Sequence, residues 1–458
     1  MNGTQTTRQP IRRLLIANRG EIAVRVQRAC RELGIETVQV YSEADRDSMA
    51  VQMADYAVCI GPARSSDSYL RADRVVEAAK AMRADAIHPG YGFLSENAGF
   101  ARLCETEGVI FVGPPADVIA SMGDKASARA SAVAAGVPIT PGSSGVVATA
   151  SEALALADTL GYPVILKAVA GGGGRGMRVV AGAADLPLHF EAASREAKAA
   201  FGDGSMYVEK YLTNIRHVEI QILSDGDRVL HLGERDCSSQ RRNQKLVEES
   251  PSPGLSSAMR AQMGEAAVRL CRHVGYRSAG TIECIVDPLS DRFYFMEMNT
   301  RVQVEHPVTE CVTGIDIVKE QIRIAGGEPL SLLQQDVTLQ GHAIECRINA
   351  EDAENGFAPS PGRVNNVRFP GGPGVRVDSH LFDGYVIPPN YDSLVAKLIC
   401  WGRDRNEAIE RTLRALSEFR LAGVHTTAGF LARLVDCNTF RSGEVHTRFV
   451  ESFLEENR

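Results

Sequence analysis

The chain has 458 residues, enough for about three domains at roughly 150 residues each, and 44% of them are hydrophobic, which is ample for buried cores. Its 50 basic and 57 acidic residues give a net charge of −7 without a long run of one sign, so nucleic acid is not an expected partner. No apolar stretch is long enough to span a membrane, and the polar start MNGTQTTRQP lacks the apolar core of a signal peptide, so we expect a cytoplasmic protein without a membrane partner.

The first segment, from Arg12 to about Gly123, alternates short apolar runs with helical patterns. Runs such as LLIA and TVQVY are typical of strands, and IAVRVQRACREL between them has helical spacing. The turn sequences NRG and HPGYG directly follow predicted strands, where open α/β sheets place their ligand-binding loops. The pattern predicts a Rossmann-like domain, although the dinucleotide fingerprint GxGxxG is absent.

From Lys125 to about Phe201 the chain is alanine-rich and helical, and the predicted strand PVILK then runs into the glycine-rich segment 171–176. Glycines allow backbone N–H groups to approach phosphate oxygens, and Lys167 would add positive charge there. A plain flexible loop is the alternative explanation, and the spacing of a P-loop is absent. We therefore predict a small mobile lid, and any nucleotide site must belong to another architecture.

The next part of the chain contains four further predicted strands, MYVEKYL, RHVEIQIL, GTIECIVD and RFYFMEMN, interrupted by a polar loop, ERDCSSQRRNQK. The basic end of this loop, residues 240–245, is predicted to be either solvated or arranged around anions. Glu209 and Lys210 lie at a strand edge that could pair with an adenine ring, although an ordinary charged strand end is the alternative. The last hundred residues, with their proline and glycine turns before the helix EAIERTLRALSEF, form a third unit.

Residues 297–305 continue the last of these strands and contain most of the polar side chains that suggest chemistry. If the segment stays extended, its odd-numbered residues share one face: Glu297, Asn299, Arg301, Gln303 and Glu305. Antiparallel pairing with TIECIVD would bring Glu283 near Glu297, and the two carboxylates would repel each other. A divalent cation would remove that repulsion, so we predict a Mg²⁺ or Mn²⁺ site at Glu283, Glu297 and Asn299. An exposed polar strand face is the alternative.

Several long motifs together resemble biotin carboxylase, a family of ATP-grasp enzymes, over nearly the whole chain. They are IANRGEIA (16–23), HPGYGFLSEN (88–97), MGDK (122–125), KAVAGGGGRGM (167–177), ERDCSSQRRNQK, FMEMNTRVQVEHPVTE (295–310), ECRINAED (345–352) and YDSLVAKLI (391–399). The resemblance implies a combined α/β and α+β fold in three domains. These are a Rossmann-like N-terminal domain at 1–123, an ATP-grasp domain at 124–330 with a mobile lid at about 139–211, and a C-terminal biotin carboxylase domain at 331–458.

The resemblance also implies a role for each residue that matches a family motif. Nucleotide contacts are implied at Lys125, Lys167, Gly173, Gly174, Glu209, Lys210, Leu212, His217, Gln240 and Asn243. Metal ligands, for two Mg²⁺ or Mn²⁺ ions, are implied at Glu283, Glu297 and Asn299. Contacts to bicarbonate or biotin are implied at Tyr91, Lys245, Arg301, Gln303, Val304 and Arg347. Catalysis is assigned to Lys245, Arg301, Glu305 and Arg347, with Glu305 as the general base and Arg347 as the group that stabilises deprotonated biotin. Asn243 stands where many relatives have histidine.

The implied reaction is the carboxylation of biotin by ATP and bicarbonate through carboxyphosphate, the first half-reaction of a biotin-dependent carboxylase. Because the Ala-Met-Lys-Met acceptor motif is absent, we expect biotin on a separate carrier protein or domain. We further expect a carboxyltransferase partner and a homodimer. An acetyl-CoA carboxylase that serves fatty acid biosynthesis is the expected type, and propionyl-CoA, methylcrotonyl-CoA and pyruvate systems are the alternatives for the final acceptor. Two alternatives are another ATP-grasp ligase that carboxylates or carbamoylates a different acceptor, and a non-catalytic nucleotide-binding subunit. The second predicts loss of metal or base residues, and all of these are present.

Overall fold

A computed structural model describes residues 10–169 and 177–457 of the chain, and these residues separate into two units. The first unit comprises the described residues of 1–137, 216–285 and 297–458, and the second those of 138–215 and 286–296. Within the described ranges, no helix combines the length and the apolar character needed to cross a bilayer.

A five-stranded parallel sheet begins the first unit, in the order β3-β2-β1-β4-β5. Its strands are β1 (Arg13–Ile16), β2 (Glu36–Ser42), β3 (Tyr56–Gly61), β4 (Ala86–His88) and β5 (Ile110–Phe111). The accompanying helices are α1 (Gly20–Glu32), α2 (Met49–Met53), α3 (Ala72–Ala81), α4 (Ala98–Thr106), α5 (Ala116–Gly123) and α6 (Lys125–Ala134). Alternate residues of β1 enter different apolar clusters, because both faces of a parallel sheet are buried. The Rossmann-like prediction is confirmed.

The loops after β1 and β4 meet at the carboxyl edge of this sheet. The side-chain amide of Asn18 donates hydrogen bonds of 2.7 Å to the carbonyl oxygens of both Pro89 and Tyr91. The two strands are neighbours, so their carboxyl ends lie side by side, as the positions of the NRG and HPGYG turns predict. This edge therefore fixes where Tyr91 lies.

The second unit is built on three antiparallel strands in the order β7-β6-β8. Its elements are α7 (Ala150–Leu160), β6 (Val164–Ala168), β7 (Met177–Val180), α8 (Leu186–Phe201) and β8 (Met206–Lys210). Apolar residues of the strands and of both helices form one core. Gly173 and Gly174 lie outside the described residues, and the mobility of the lid stays a prediction.

A larger, mostly antiparallel sheet of eight strands has the order β13-β12-β9-β10-β11-β14-β21-β19. Its strands are β9 (Arg216–Ser224), β10 (Val229–Arg241), β11 (Gln244–Ser250), β12 (Ser278–Asp287), β13 (Arg292–Asn299), β14 (His342–Asn349), β19 (Val375–Ser379) and β21 (Leu394–Gly402). Because β14 pairs with β11, residues some hundred positions apart in the chain face each other across adjacent strands. This pairing determines much of the geometry described below.

The remaining elements cover and extend this sheet. Short strand pairs are formed by β15 (Glu351–Asp352) with β16 (Ala358–Pro359), β17 (Gly362–Arg363) with β20 (Val386–Ile387), and β18 (Asn365–Arg368) with β22 (Arg420–Ala422). The helices are α9 (Ser257–His273), α10 (His306–Thr313), α11 (Ile317–Ala325), α12 (Arg405–Glu418), α13 (Ala428–Asp436), α14 (Asn438–Ser442) and α15 (Phe449–Glu456). An apolar core joins β11, β14 and β21 to residues of α12, α13 and α15.

The segment ERDCSSQRRNQK is a β-hairpin, so its interpretation as an irregular polar loop is wrong. It forms the end of β10 and the start of β11, and Arg242 and Asn243 make the turn with left-handed φ values of 49° and 64°. Its residues 234–240 are buried despite their polarity, because their side chains pair with one another and with β9. Hydrophobic periodicity cannot detect a strand whose buried face is polar.

The left-handed conformation of Asn243 in this turn predicts that two substitutions of the residue change the stability of the protein differently. Asn243→Val should lower the free energy of unfolding by about 1–2 kcal/mol, because a β-branched residue is strained at positive φ. Asn243→Gly should leave it unchanged or slightly higher, since glycine adopts this conformation freely. Urea unfolding of both variants measures the difference, and equal midpoints would show that the turn does not hold the left-handed conformation.

Candidate active site

The chain leaves the extended conformation at Asn299, the last residue of β13, and the strand does not continue to residue 305 as expected. The backbone N–H of Thr300 donates to Glu96 rather than to a neighbouring strand, and helix α10 begins at His306 directly after Glu305. The parity argument is therefore wrong beyond Asn299. The polar side chains of 299–305 nevertheless converge on one buried cluster, because the loop folds back over the sheet. We call residues 300–305 the substrate loop.

Arg235 on β10 is the centre of this cluster, and none of its side chain is exposed. Its five N–H groups donate at 2.6–3.1 Å to the side-chain oxygens of Glu219, Gln221, Thr281, Gln303 and Thr309. Five is the full donor capacity of a guanidinium, so the buried charge is completely satisfied. The acceptors lie on β9, β12, the substrate loop and α10, so one side chain ties four segments together.

Lys245 on β11 lies between three carboxylates. Its ammonium is 2.6 Å from Glu219, 2.6 Å from Glu305 and 3.1 Å from Glu283. Burial opposes the charged lysine, but the surrounding negative charges, including these carboxylates, raise its pKa well above the ordinary value. The predicted anion-binding lysine is therefore a fixed positive charge at the centre of the site.

Glu305 and Arg347 form a buried ion pair. The Arg347 guanidinium donates to Glu305 at 2.9 Å and, through its Nε, to Glu248 at 2.5 Å. Burial alone would raise the pKa of Glu305, but Lys245 and Arg347 outweigh it and hold that pKa well below the usual range. The predicted general base is therefore an ionised carboxylate, and the predicted biotin-binding arginine is held against it.

The predicted metal ligands lie around Glu283. One of its carboxylate oxygens accepts from the side-chain amides of Asn299 at 2.8 Å and Gln303 at 2.9 Å, and the other lies 2.8 Å from the His217 imidazole. Although the side chain of Glu297 is partly open to solvent, desolvation by the surrounding protein and then the charge of Glu283 raise its pKa. The sequence predicts this repulsion between the carboxylates of Glu283 and Glu297. Their oxygens and the side-chain oxygen of Asn299 are hard ligands of the kind that a divalent cation prefers.

Arg301 is held by a residue that sequence reasoning did not single out. Its Nε donates to Glu96 at 2.9 Å, and its Nη2 donates to Asn299 at 2.8 Å. Glu96 belongs to the HPGYGFLSEN segment, so the first domain anchors the substrate loop. The resemblance of this motif to the family implies a role for Tyr91 but none for Glu96.

The remaining two predicted substrate contacts, Tyr91 and Val304, are linked through a buried lysine. Tyr91 donates a hydrogen bond from its hydroxyl to Glu21, and the same carboxylate oxygen lies 3.1 Å from the ammonium of Lys397. Lys397 also donates to the backbone carbonyl of Val304 at 2.9 Å. Neither Glu21 nor Lys397 is among the site residues predicted from the sequence, although Glu21 lies in the motif IANRGEIA and Lys397 in the motif YDSLVAKLI.

The predicted nucleotide contacts divide between the two units. In the second unit, Lys167 pairs with Glu209 at 2.5 Å, and the ammonium of Lys210 donates to the carbonyls of Gly161 and Tyr162. Leu212 follows β8 and is half-buried. In the first unit, Lys125 is exposed at the start of α6, His217 lies on β9, and Gln240 pairs in register with Lys245 across the hairpin that Asn243 closes.

Sequence reasoning missed Glu219 and Arg235, although a signal for both was present. Strand RHVEIQIL alternates His217, Glu219 and Gln221 with apolar residues, and all of its residues are buried. In the register of the two strands, Glu219 lies directly opposite Arg235 of the polar segment ERDCSSQ. Two adjacent strands with polar residues at alternate positions predict a polar internal face.

Two further buried carboxyl groups face each other beside Arg347. Glu248 on β11 is directly opposite Glu345 on β14, and neither is exposed. Burial, together with the charge of Glu305, raises the pKa of Glu248 to about 7, although Arg347 opposes the shift. Among the described residues, neither oxygen of Glu345 has a hydrogen-bond partner, and burial raises its pKa well above the ordinary value.

Comparisons with known proteins relate most of the chain to one family. Residues 10–119 match the model of the biotin carboxylase N-terminal domain, 124–333 that of the carbamoyl-phosphate synthase L chain ATP-binding domain, and 345–452 that of the biotin carboxylase C-terminal domain. Biotin carboxylase 1 of Bacillus subtilis is 58% identical over 97% of this chain and 99% of its own. A pyruvate carboxylase subunit of Methanothermobacter thermautotrophicus is 51% identical over 96% and 90%, respectively.

A solved structure has nearly the same fold. It is the biotin carboxylase domain dimer of 2-oxoglutarate carboxylase from Hydrogenobacter thermophilus, in complex with MgADP, ADP and bicarbonate. The two chains superpose with a TM-score of 0.90 at 50% identity, and the match covers 98% of each. The similarity therefore extends over the whole arrangement of sheets described above.

Glu345 predicts a characteristic pH dependence of stability. Its folded-state pKa is raised, so between pH 4.5 and that pKa the unfolded state has lost a proton that the native state keeps, and stability falls as pH rises. Glu345→Gln, which copies the protonated form, should remove this loss, worth up to about 1.4 kcal/mol per pH unit. Thermal unfolding of both proteins from pH 5 to 8.5 measures it.

The matched control is Glu455→Gln, which changes an exposed carboxylate and should leave the pH dependence of the wild type intact. Parallel stability curves for the wild type and Glu345→Gln would contradict a protonated Glu345.

Proposed function

The chain belongs to the biotin carboxylase family, and from this membership we propose that it uses ATP and bicarbonate to carboxylate biotin on a separate carrier protein. Biotin carboxylation through carboxyphosphate accounts for the residues gathered in the site. The observation that carries the proposal is Glu305, an ionised carboxylate held between Lys245 and Arg347. The membership also removes both alternatives, another ATP-grasp ligase and a non-catalytic subunit.

In the proposed first step, Glu305 accepts the proton of bicarbonate while Lys245 and Arg301 hold the anion against the γ-phosphate of ATP. Without an anion, Lys245 and Arg347 depress the pKa of Glu305 and make it a weak base. A bound bicarbonate competes with Glu305 for these cations, so its binding raises the basicity of Glu305 at the moment it is needed. The attack of bicarbonate on phosphorus then forms carboxyphosphate and releases ADP.

In the proposed second step, carboxyphosphate breaks down to CO₂ and phosphate, the phosphate removes the proton of the biotin ureido nitrogen, and that nitrogen attacks CO₂ to form carboxybiotin. Glu305 is neutral once it has taken the bicarbonate proton, so its ion pair with Arg347 is weakened. The guanidinium of Arg347 is then able to donate to the ureido oxyanion. The proton transfer from bicarbonate to Glu305 thus frees Arg347 to bind biotin, the second substrate.

Glu283, Glu297 and Asn299 fit a divalent cation, because their oxygens are hard ligands and because the two carboxylates repel each other in its absence. We propose two ions, Mg²⁺ or Mn²⁺. When bound, a cation there would neutralise negative charge on the nucleotide phosphates. The nucleotide contacts at Lys125, Lys167, Gly173, Gly174, Glu209, Lys210, Leu212, His217, Gln240 and Asn243 also belong to the proposal.

The domain boundaries, 1–123, 124–330 with a lid at about 139–211, and 331–458, form part of the proposal and are supported by the ranges of the three family models. A homodimer is proposed from the solved relative that is described as one. A carboxyltransferase partner and a cytoplasmic location are also part of the proposal.

Phosphate release from ATP tests the reaction. With Mg²⁺ and bicarbonate, free biotin should stimulate release by the purified chain, and Arg301→Ala should reduce the stimulated rate by about 100-fold or more, because the substrate loop loses its anion contact. Arg403→Ala, which removes an exposed arginine, is the matched control and should match the wild type. ATP turnover that is indifferent to biotin would refute the proposal.

For the final carboxyl acceptor we propose acetyl-CoA. The proposal follows the resemblance to the biotin carboxylase of acetyl-CoA carboxylases, and the higher identity to the Bacillus biotin carboxylase than to the pyruvate carboxylase subunit argues against pyruvate. Combined with the carrier and carboxyltransferase of its own organism, the chain should transfer labelled bicarbonate to acetyl-CoA in preference to propionyl-CoA, methylcrotonyl-CoA or pyruvate. Preferential labelling of any other acceptor would reassign the enzyme.

A further inference from the structure

Three of the residues assigned to substrate binding converge on Lys397, which has no assigned role. Lys397 lies on β21 directly opposite Arg347 on β14. Its ammonium donates to the carbonyl of Val304 and pairs with Glu21, to which Tyr91 also donates. The side chain of Lys397 therefore contacts the substrate loop and the start of α1, and its strand pairs with the strand that carries Arg347.

The ammonium of Lys397 is held in a fixed position. Its side chain is fully buried, and a buried ammonium is stable only when its N–H groups and its charge are matched. The Val304 carbonyl lies at 2.9 Å, Glu21 at 3.1 Å and Asp378 at 4.0 Å. The positions of these groups are therefore coupled to one another through the lysine.

Val304 explains why this contact matters for bicarbonate. An isopropyl side chain offers no hydrogen bond to an anion, so a contribution of Val304 to bicarbonate binding must come from its backbone. Lys397 holds the carbonyl of that same residue. Gln303 and Arg301 anchor the substrate loop through their side chains, to Arg235 and Glu96, whereas Lys397 holds the loop by its backbone at Val304.

Tyr91 is positioned from the other side of the lysine. Its backbone is held by Asn18, and its hydroxyl is held by Glu21, a carboxylate that is buried and whose charge Lys397 balances. Burial raises the pKa of Glu21 and the charge of Lys397 opposes that rise, so loss of the lysine would favour the protonated form of Glu21 further and alter its hydrogen bonds. The orientation of Tyr91 thus depends on Lys397 without direct contact.

We propose that Lys397 is a positioning residue that aligns the two substrates: it fixes the backbone of the bicarbonate-binding Val304 and, through Glu21, the biotin-contacting Tyr91 beside Arg347. This inference rests on the proposed function. The buried charge of Lys397 aligns bicarbonate with biotin. A substitution that disturbs biotin binding through Lys397 should therefore also weaken bicarbonate binding.

The test compares steady-state kinetics of Lys397→Met and wild type in the biotin-stimulated ATP assay. Lys397→Met should raise the KM for bicarbonate and the KM for free biotin by about tenfold or more each, as expected for loss of a charged hydrogen bond. A merely structural role would lower kcat through the active fraction and leave both KM values unchanged. Lys319→Met, which removes a lysine paired with the exposed Glu32, is the matched control and should behave as wild type.

A double-mutant cycle tests the link to Tyr91. Tyr91→Phe removes only the hydroxyl, so it should raise the KM for biotin, and its effect should be smaller in the Lys397→Met background than alone. If Lys397→Met does not fold, as judged by circular dichroism, Lys397→Arg provides the measurement. It keeps the charge and the donors, but its longer planar head cannot reproduce both contacts, so an intermediate rise of both KM values is expected.

The outcomes separate the two hypotheses. If the wild type shows no biotin-stimulated turnover, the proposed function fails, and this inference fails with it. If the wild type is active and the variants at Lys397 keep wild-type KM values, or if the effects of Tyr91→Phe and Lys397→Met are independent, only the inference is overturned.

Discussion

The burial of the Arg235 guanidinium against Glu219 is the interaction on which the rest of the site depends. A charge fully withdrawn from water is tolerated only when every donor is met, and here five acceptors from four segments meet it. The substrate loop and helix α10 contribute two of those acceptors, Gln303 and Thr309, so their positions follow from the position of the arginine. Glu219 in turn is shared with Lys245, which extends the network to Glu283 and Glu305.

The positive and negative side chains of this cluster are paired with one another before any substrate binds. Lys245 and Arg347 are occupied by carboxylates of the protein, so an incoming anion exchanges one negative partner for another and no cation is left bare. In the proposed reaction, this exchange releases Glu305 from the charges that suppress its basicity. A preorganised arrangement of this kind requires little reorganisation during the reaction, which is how enzyme sites stabilise developing charge better than water does.

One sheet brings together groups from distant parts of the chain. Pairing of β11 with β14 sets Glu248 opposite Glu345, and pairing of β14 with β21 sets Arg347 opposite Lys397. Like charges in opposite positions are unfavourable, and each pair is compensated differently. Burial beside Glu248 raises the pKa of Glu345, and the members of the basic pair have separate partners, Glu305 for Arg347 and Glu21 for Lys397. The C-terminal region therefore completes the site that the central strands begin.

The sequence by itself determined the family, the fold class and the identity of most polar residues that the structure gathers around Glu283 and Glu305, because long motifs carry that information locally. The repulsion between Glu283 and Glu297 also followed from the predicted antiparallel pairing of their two strands. Beyond Asn299 parity failed, because the chain turns into α10, and the ERDCSSQRRNQK segment was misread, because a polar buried strand has no hydrophobic period. Only the tertiary structure decided that Arg235, Glu96 and Lys397 support the site. Their roles depend on partners tens to hundreds of residues away, and the free energy that makes a buried charge tolerable resides in those distant contacts and not in the local sequence.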